Sequence, residues 1–165
     1  GDILKTNLSS ISFNIIVGNL PYYITTPILF KILKSKIKWG EIFFLMQKEV
    51  ADRIVGKPNT KSYGRLTIMT QILSNPKVLF DISPQVFRPI PKVDSSFIKL
   101  SKINNHKIMD YGRFEWIIRK IFNQRRKKIK NCITNEMNLN LPEDSNFLNK
   151  RPEQITIEEY INLIN

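Results

Sequence analysis

An apolar, β-branched run, Phe13-Asn14-Ile15-Ile16-Val17, ends at Gly18 and gives way at once to Asn19-Leu20-Pro21-Tyr22. The run lacks the clean alternation of a half-exposed strand, so it predicts a fully buried strand over 13–18, and Pro21 ends it. Thr26-Pro27 then supplies an N-cap and a proline suited to the first helical position. Ile28, Leu29, Ile32 and Leu33 follow at helical spacing, which predicts a helix over about 27–36. A second buried strand is expected at Glu41 to Met46, feeding a helix over Lys48 to Val55 that Gly56-Lys57-Pro58 stops. Apolar spacing predicts another helix from Tyr63 to Leu73, although its β-branched residues weaken the pattern. Lys77 to Ile82 and Ser95 to Ser101 read as strands flanking a proline-rich turn, an antiparallel pair at a sheet edge. Strands alternating with helices place the chain in the α/β class.

A polar stretch, Lys102 to Asp110, breaks this pattern and is taken as a boundary between residues 1–102 and 103–165. Beyond it, Phe114, Ile117, Ile118, Ile121 and Phe122 share a helical face, and Ile129 and Ile133 are expected to continue one in a next helix. Thr156 and Glu159 form the pattern of a capping box that opens a last helix burying Ile157, Tyr160, Ile161 and Leu163. The second part is therefore expected to be small and all-helical.

The tetrapeptide carries chemistry as well as a stop signal. In an open α/β sheet, ligands sit beyond the C-terminal ends of the strands. There the Asn19 side-chain oxygen and the Leu20 carbonyl would each accept a hydrogen from an exocyclic base amine, with the ring stacked on Tyr22. The arrangement suits an adenine N6. A proline-broken strand end with an ordinary core tyrosine accounts for the same residues.

A formal net charge of +12 in 165 residues points to a polyanionic partner. Membrane surface would need a basic amphipathic helix or a lipidation signal, and the longest apolar runs, such as Ile42 to Met46, are too short to cross a bilayer. The lone Cys132 excludes an internal disulfide and a multi-cysteine zinc site, and no metal is expected. His106, among Asn104, Asn105 and Lys107, reads as a solvated linker side chain. Seven cations, Arg119, Lys120, Arg125, Arg126, Lys127, Lys128 and Lys130, surround Asn123-Gln124 with no acid between Glu115 and Glu136. They are read as phosphate contacts, against the alternative of a merely solvated face.

Four ordered stretches resemble the ribosomal RNA adenine N6,N6-dimethyltransferases, the family of bacterial KsgA and the erythromycin-resistance methylases. They are residues 19–27 (Asn-Leu-Pro-Tyr-Tyr-Ile-Thr-Thr-Pro), 46–54 (Met-Gln-Lys-Glu-Val-Ala-Asp-Arg-Ile), 87–95 (Phe-Arg-Pro-Ile-Pro-Lys-Val-Asp-Ser) and 122–127 (Phe-Asn-Gln-Arg-Arg-Lys). The resemblance implies the last four strands of a Rossmann-like class I S-adenosylmethionine methyltransferase sheet, followed by the helical part as an RNA-binding unit. It implies S-adenosylmethionine as cofactor and small-subunit rRNA, in a pre-ribosomal particle, as substrate, acting in ribosome biogenesis in the cytoplasm, with an organelle as the alternative. It makes Asn19, Leu20, Pro21 and Tyr22 the catalytic motif, with Phe87 as the aromatic on the other face of the base. The stretch opening at Gly1-Asp2-Ile3-Leu4 looks like the family segment whose aspartate meets the cofactor adenine, so Asp2 and Ile3, with Asn19 and Leu20, are the expected cofactor contacts.

The family's glycine-rich turn and ribose-binding acid have no match: the six glycines are scattered without a G-x-G. The chain is therefore expected to be the C-terminal portion of a longer enzyme, inactive alone and weak in cofactor binding. The strand at 13–18, central in the family's sheet, is expected to lack a partner on one side. Lys48, Glu49 and Arg53 fit an RNA contact and a salt-bridged helix start equally well. Two other functions remain open: a non-catalytic rRNA- or DNA-binding factor of the same fold, such as a mitochondrial transcription-factor relative, and DNA adenine methylation. The match through the basic helical part disfavours the second.

Overall fold

A computed structural model describes residues 2–8, 12–35, 38–103, 108, 110–144 and 146–165. Four strands, β1 (Ser12–Asn19), β2 (Lys38–Gln47), β3 (Ser74–Ile82) and β4 (Ser95–Lys102), form one sheet in the order β1-β2-β4-β3. β1 and β2 run parallel, joined through α1 (Thr25–Lys34); β4 lies antiparallel to both β2 and β3. The register sets Asn19 beside Leu45, and Ser95 beside both Gln47 and Ile82. Three strands therefore end, and the fourth begins, at one edge of the molecule. Helices α2 (Lys48–Ile54) and α3 (Arg65–Gln71) follow β2, and α4 (Tyr111–Phe122) and α5 (Ile157–Ile164) follow the sheet.

One face of the sheet is closed. Leu29, Ile32 and Leu33 of α1 and Ala51 and Ile54 of α2 pack with Ile42, Phe44, Met46, Ile98 and Leu100. The opposite face carries a row of rings, Phe43 and Phe97 with centroids 6.1 Å apart and Phe97 and Phe80 at 5.3 Å. On that face β1 departs from expectation. Phe13, Ile15 and Val17 are 42%, 56% and 70% exposed rather than buried. A parallel strand is buried only when elements cover both its faces, and among the described residues none covers this one. β1 is also the outermost strand of the described sheet, so its second edge is open, as the sequence led one to expect.

Several element ends move. α1 begins at Thr25 because the 3-10 turn Tyr22–Ile24 runs directly into it. Pro27 is then the third helical residue, still within the first turn, where a missing N–H costs nothing. α3 is shorter than the predicted segment: Gly64 precedes it and donates to the Thr67 hydroxyl at 3.0 Å. β3 starts at Ser74 and accepts Pro76 as an edge strand can.

The helix expected through Ile129 and Ile133 is a single 3-10 turn, Ile129–Asn131. Like charges three or four apart, Arg125 and Lys128, Lys127 and Lys130, Arg126 and Lys130, repel in a helix, and Asn131, Thr134 and Asn135 favour turns. The capping box of α5 forms: the Glu159 amide donates to the Thr156 hydroxyl at 3.2 Å, and the Thr156 amide donates to the Glu159 carboxylate at 2.8 Å. Most of the expected boundary, His106 included, lies outside the described residues.

A second core joins α3 to α4 and the segments that follow α4. Tyr63, Ile68, Met69 and Ile72 pack with Phe114, Ile117, Ile118 and Ile121 of α4, with Ile129 and Cys132, and with Tyr160 and Ile161 of α5. Its two buried tyrosines donate outward to backbone, Tyr63 to the Ile155 carbonyl at 2.8 Å and Tyr160 to that of Pro152 at 2.9 Å. Burial pushes both phenols well above the ordinary value, so they serve only as neutral donors. Truncating the fully buried Phe114 to alanine is expected to cost about 3–5 kcal/mol in urea unfolding, while Phe13→Ala, on the uncovered face, costs less than about 1 kcal/mol.

Candidate active site and basic face

Beyond the strand ends lies an open cleft of about 350 Å³ lined by Asn19, Leu20, Pro21, Tyr22, Phe87, Arg88, Pro89 and Pro91. The five residues expected to handle the substrate are thus brought together, although Phe87 is 68 positions from Asn19 in sequence (87 less 19). The tetrapeptide is pinned from both sides. The Leu20 amide donates to the Leu45 carbonyl at 3.3 Å, carrying the pairing with β2 one residue past β1. The Pro21 carbonyl accepts from the Ile24 amide and the Thr25 hydroxyl, each at 3.1 Å, which welds the turn to α1. Gly18 lets the chain pass: a Cβ there would lie 3.1 Å from the Phe44 ring and 3.2 Å from the Leu20 side chain.

Tyr22 is fixed by its hydroxyl, which shares a 2.6 Å hydrogen bond with Ser95 at the start of β4. The Asn19 side chain is exposed and has no hydrogen-bond partner among the described residues. Its amide oxygen therefore remains an available acceptor at the cleft. Opposite, the loop between β3 and β4 folds on itself, the Phe87 amide donating to Pro84 at 3.1 Å and the Arg88 guanidinium to the carbonyls of Gln85 and Phe87 at 3.0 and 2.9 Å.

Lys48 holds the base of that loop. Its amide donates to the Asp94 carbonyl at 2.9 Å, and its ammonium meets Asp81 at 2.5 Å and Asp52 at 3.6 Å. Hydrogen bonds from Lys48 and from Ser96, the latter at 2.6 Å, draw the Asp81 carboxyl below the usual carboxylate range. Glu49 and Arg53 are exposed. They line a larger cavity of about 680 Å³ with Lys57 and Lys61, which has no aromatic wall. Ser95 and Asp81 were not legible as site residues: neither carries a chemical signature in sequence, and each matters only through a partner across the sheet.

Asp2 and Ile3 do not line the cleft. The Asp2 carboxylate accepts from the Leu4 amide at 2.9 Å and its carbonyl from the Lys5 and Thr6 amides at 3.0 and 3.1 Å, closing a turn that Lys31 ties to α1 through the Leu4 carbonyl. Ile3 packs against the core under the sheet. Of the four expected cofactor contacts, Asn19 and Leu20 line the cleft and Asp2 and Ile3 do not.

The seven cations divide in two. Arg125 turns inward, donating to the carbonyls of Thr60 and Lys61 at 3.2 and 3.1 Å and pairing with Glu153 at 3.4 Å. The acid missing from the local sequence is supplied by the fold. Arg119, Lys120, Arg126, Lys127, Lys128 and Lys130 are exposed. Of these, Lys120 lies 5.7 Å from the Trp116 ring and Lys128 donates to the Asn149 side chain at 3.4 Å.

The architecture is shared with solved RNA methyltransferases. It superposes on a dimethyladenosine transferase from Plasmodium falciparum with a TM-score of 0.85 at 22% identity, covering 98% of this chain and 68% of that one. The 23S rRNA methyltransferase ErmE gives 0.65 at 22% identity, over 99% and 69%. The fold class is therefore that of a Rossmann-like methyltransferase. The sequence profile of the ribosomal RNA adenine dimethylases matches residues 1–165, and the chain belongs to that family. It is 38% identical to the ribosomal RNA small subunit methyltransferase A of Francisella tularensis subsp. novicida, over 99% of its own length and 66% of that relative's.

The inward arginine should be separable from its neighbours. Arg125→Ala is expected to lower stability by about 1–2 kcal/mol in thermal unfolding, through the carbonyls and carboxylate it leaves unpaired, whereas Arg126→Ala changes it by less than about 0.5 kcal/mol.

Proposed function

We propose that the protein containing this chain transfers methyl groups from S-adenosylmethionine to the N6 of adenines in small-subunit ribosomal RNA. The observation that carries the reading is the unpartnered Asn19 amide beside the Leu20 carbonyl, with Tyr22 anchored by Ser95 and Phe87 across the same cleft. Family membership and the small-subunit methyltransferase named among the relatives support the substrate. The same likeness supports work in the cytoplasm on a pre-ribosomal particle.

An adenine amine is a poor nucleophile because its lone pair is delocalised into the ring. Two acceptors, the Asn19 side-chain oxygen and the Leu20 carbonyl, bias the nitrogen toward tetrahedral geometry and localise that pair in line for attack. When bound, the cofactor supplies an activated methyl on a sulfonium, already an excellent leaving group. No general base is needed before attack, since the methylated amine loses its proton afterwards. Tyr22 and Phe87 clasp the extruded base, and stacking worth roughly 1–3 kcal/mol per base offsets the few kcal/mol needed to unstack it. Pro21 locks its own φ and so stiffens the backbone that carries the Leu20 carbonyl. Asp2 and Ile3 would stand toward the cofactor adenine, and the exposed cations Arg119, Lys120, Arg126, Lys127, Lys128 and Lys130 toward phosphates. Residues 103–165 then form the RNA-docking part.

In the natural gene product, Asn19→Ala is expected to abolish single-turnover methyl transfer while RNA affinity stays within a few-fold. Retention of a near-normal rate would rule out this mechanism. Reversing Arg126 and Lys127 to Glu should weaken binding to all RNA sequences and flatten the log–log salt dependence by about 1 for each phosphate no longer neutralised.

A further inference from the structure

A pocket of about 250 Å³ on the outer side of α4 is lined by Arg65, Gly112, Glu115, Trp116 and Arg119 and shares no residue with the cleft at the strand ends. α4 serves the core through Phe114, Ile117, Ile118 and Ile121, and Trp116 lies off that stripe. The indole packs one side against the core and stays half-buried. One turn earlier on the same face stands Gly112, so no side chain covers the indole from that direction. The backbone does not demand glycine there: its φ is not positive, and an added Cβ would closely approach only the Asp110 carboxylate, at 3.3 Å. Glycine weakens a helix relative to alanine, and what it provides here is space.

The rim of the pocket is cationic. Glu115 accepts from Lys34 at 2.7 Å and from Arg65 at 3.2 Å. Burial pushes its carboxyl up, but the bonds and charges of Lys34 and Arg65 outweigh that and hold it below the ordinary range. The Glu115 carboxylate is thus already matched by two cations, Lys34 and Arg65, while Arg119, in the same pocket, has no acidic partner among the described residues. Planar guanidinium groups match phosphate oxygens, and an indole offers a face to any base, here with the Lys120 ammonium 5.7 Å from the ring as a further cation beside it.

We propose that this pocket holds one unpaired nucleotide of the RNA, its base against Trp116 and its phosphate between Arg65 and Arg119. The site deepens the RNA reading above and rests on it. It lies at the start of the exposed basic face, since Arg119 and Lys120 belong to α4 and Arg126 follows its end. An RNA arm docked across that face would deliver its loop or end to the indole. Stacking tolerates any sequence, so the pocket would fix the position of the RNA and not its identity.

Trp116 provides its own signal, because the other tryptophan, Trp39, is only 5% exposed. Titrating the protein with a short single-stranded oligoribonucleotide should quench tryptophan emission, and Trp116→Phe should abolish the quenching. A blunt duplex of the same sequence should bind and leave emission nearly unchanged. Gly112→Leu, which fills the pocket with a better helix former, should keep the circular dichroism spectrum, remove the quenching and weaken single-strand binding about tenfold. RNA binding without a change in emission, or full quenching in the Gly112→Leu variant, would overturn the pocket and leave the RNA reading standing. Equal quenching by polyglutamate would assign the pocket to an acidic peptide instead. If filter retention detects no RNA binding by the natural gene product, the RNA reading falls and the pocket with it.

Discussion

The pairing of β1, β2 and β4 sets the position of everything at the candidate active site. Because Asn19 stands beside Leu45, and Gln47 beside Ser95, the ends of two parallel strands and the start of an antiparallel one meet at the same edge. Sliding β1 by one residue would turn Asn19 to the other face and take Leu20 away from the Leu45 carbonyl it caps. The Tyr22–Ser95 hydrogen bond depends on the same register, since it joins the segment after β1 to the first residue of β4. A sheet edge, set by backbone pairing, thus decides where an amide, a carbonyl and two rings converge.

The loop that brings Phe87 into the cleft depends on a second set of restraints. Asp81 near the end of β3 and Ser96 near the start of β4 are bonded to each other, and Lys48 at the head of α2 closes the group. Both charged members are surface groups, so their pairing orients the loop more than it stabilises the fold. Lys48 therefore has a sufficient structural role without any contact to a substrate.

Positive charge is used in two ways that composition alone does not separate. Arg125 is spent on the fold, satisfying two carbonyls of the segment after α2 and a distant carboxylate. Its neighbours at 126–128 project outward with no acid bonded to them among the described residues. A guanidinium with several donors can organise backbone and carboxylate together, which suits it to the inward task. Arg126, Lys127, Lys128 and Lys130 are exposed and close together just after α4, the arrangement expected of a surface that meets phosphates.

The α/β class, the order of the elements, the capping box at Thr156 and the core stripe of α4 were all legible in sequence, because each rests on local spacing or local backbone chemistry. Asn19, Leu20, Pro21 and Tyr22 were legible as a candidate site for the same reason: they are contiguous and their chemistry is short-range. The sequence could not place Ser95 behind Tyr22, or Glu153 opposite Arg125, since each pair is joined only by long-range folding. Nor could it foresee that Phe13, Ile15 and Val17 stand exposed, because an apolar run reports a preference for burial and not the presence of a cover. The expected helix after Arg125 failed on a balance that periodicity ignores, the repulsion of successive cations against too few apolar neighbours. Burial, partnership and the direction in which a charge points are properties of the packed chain, and only the tertiary structure decided them.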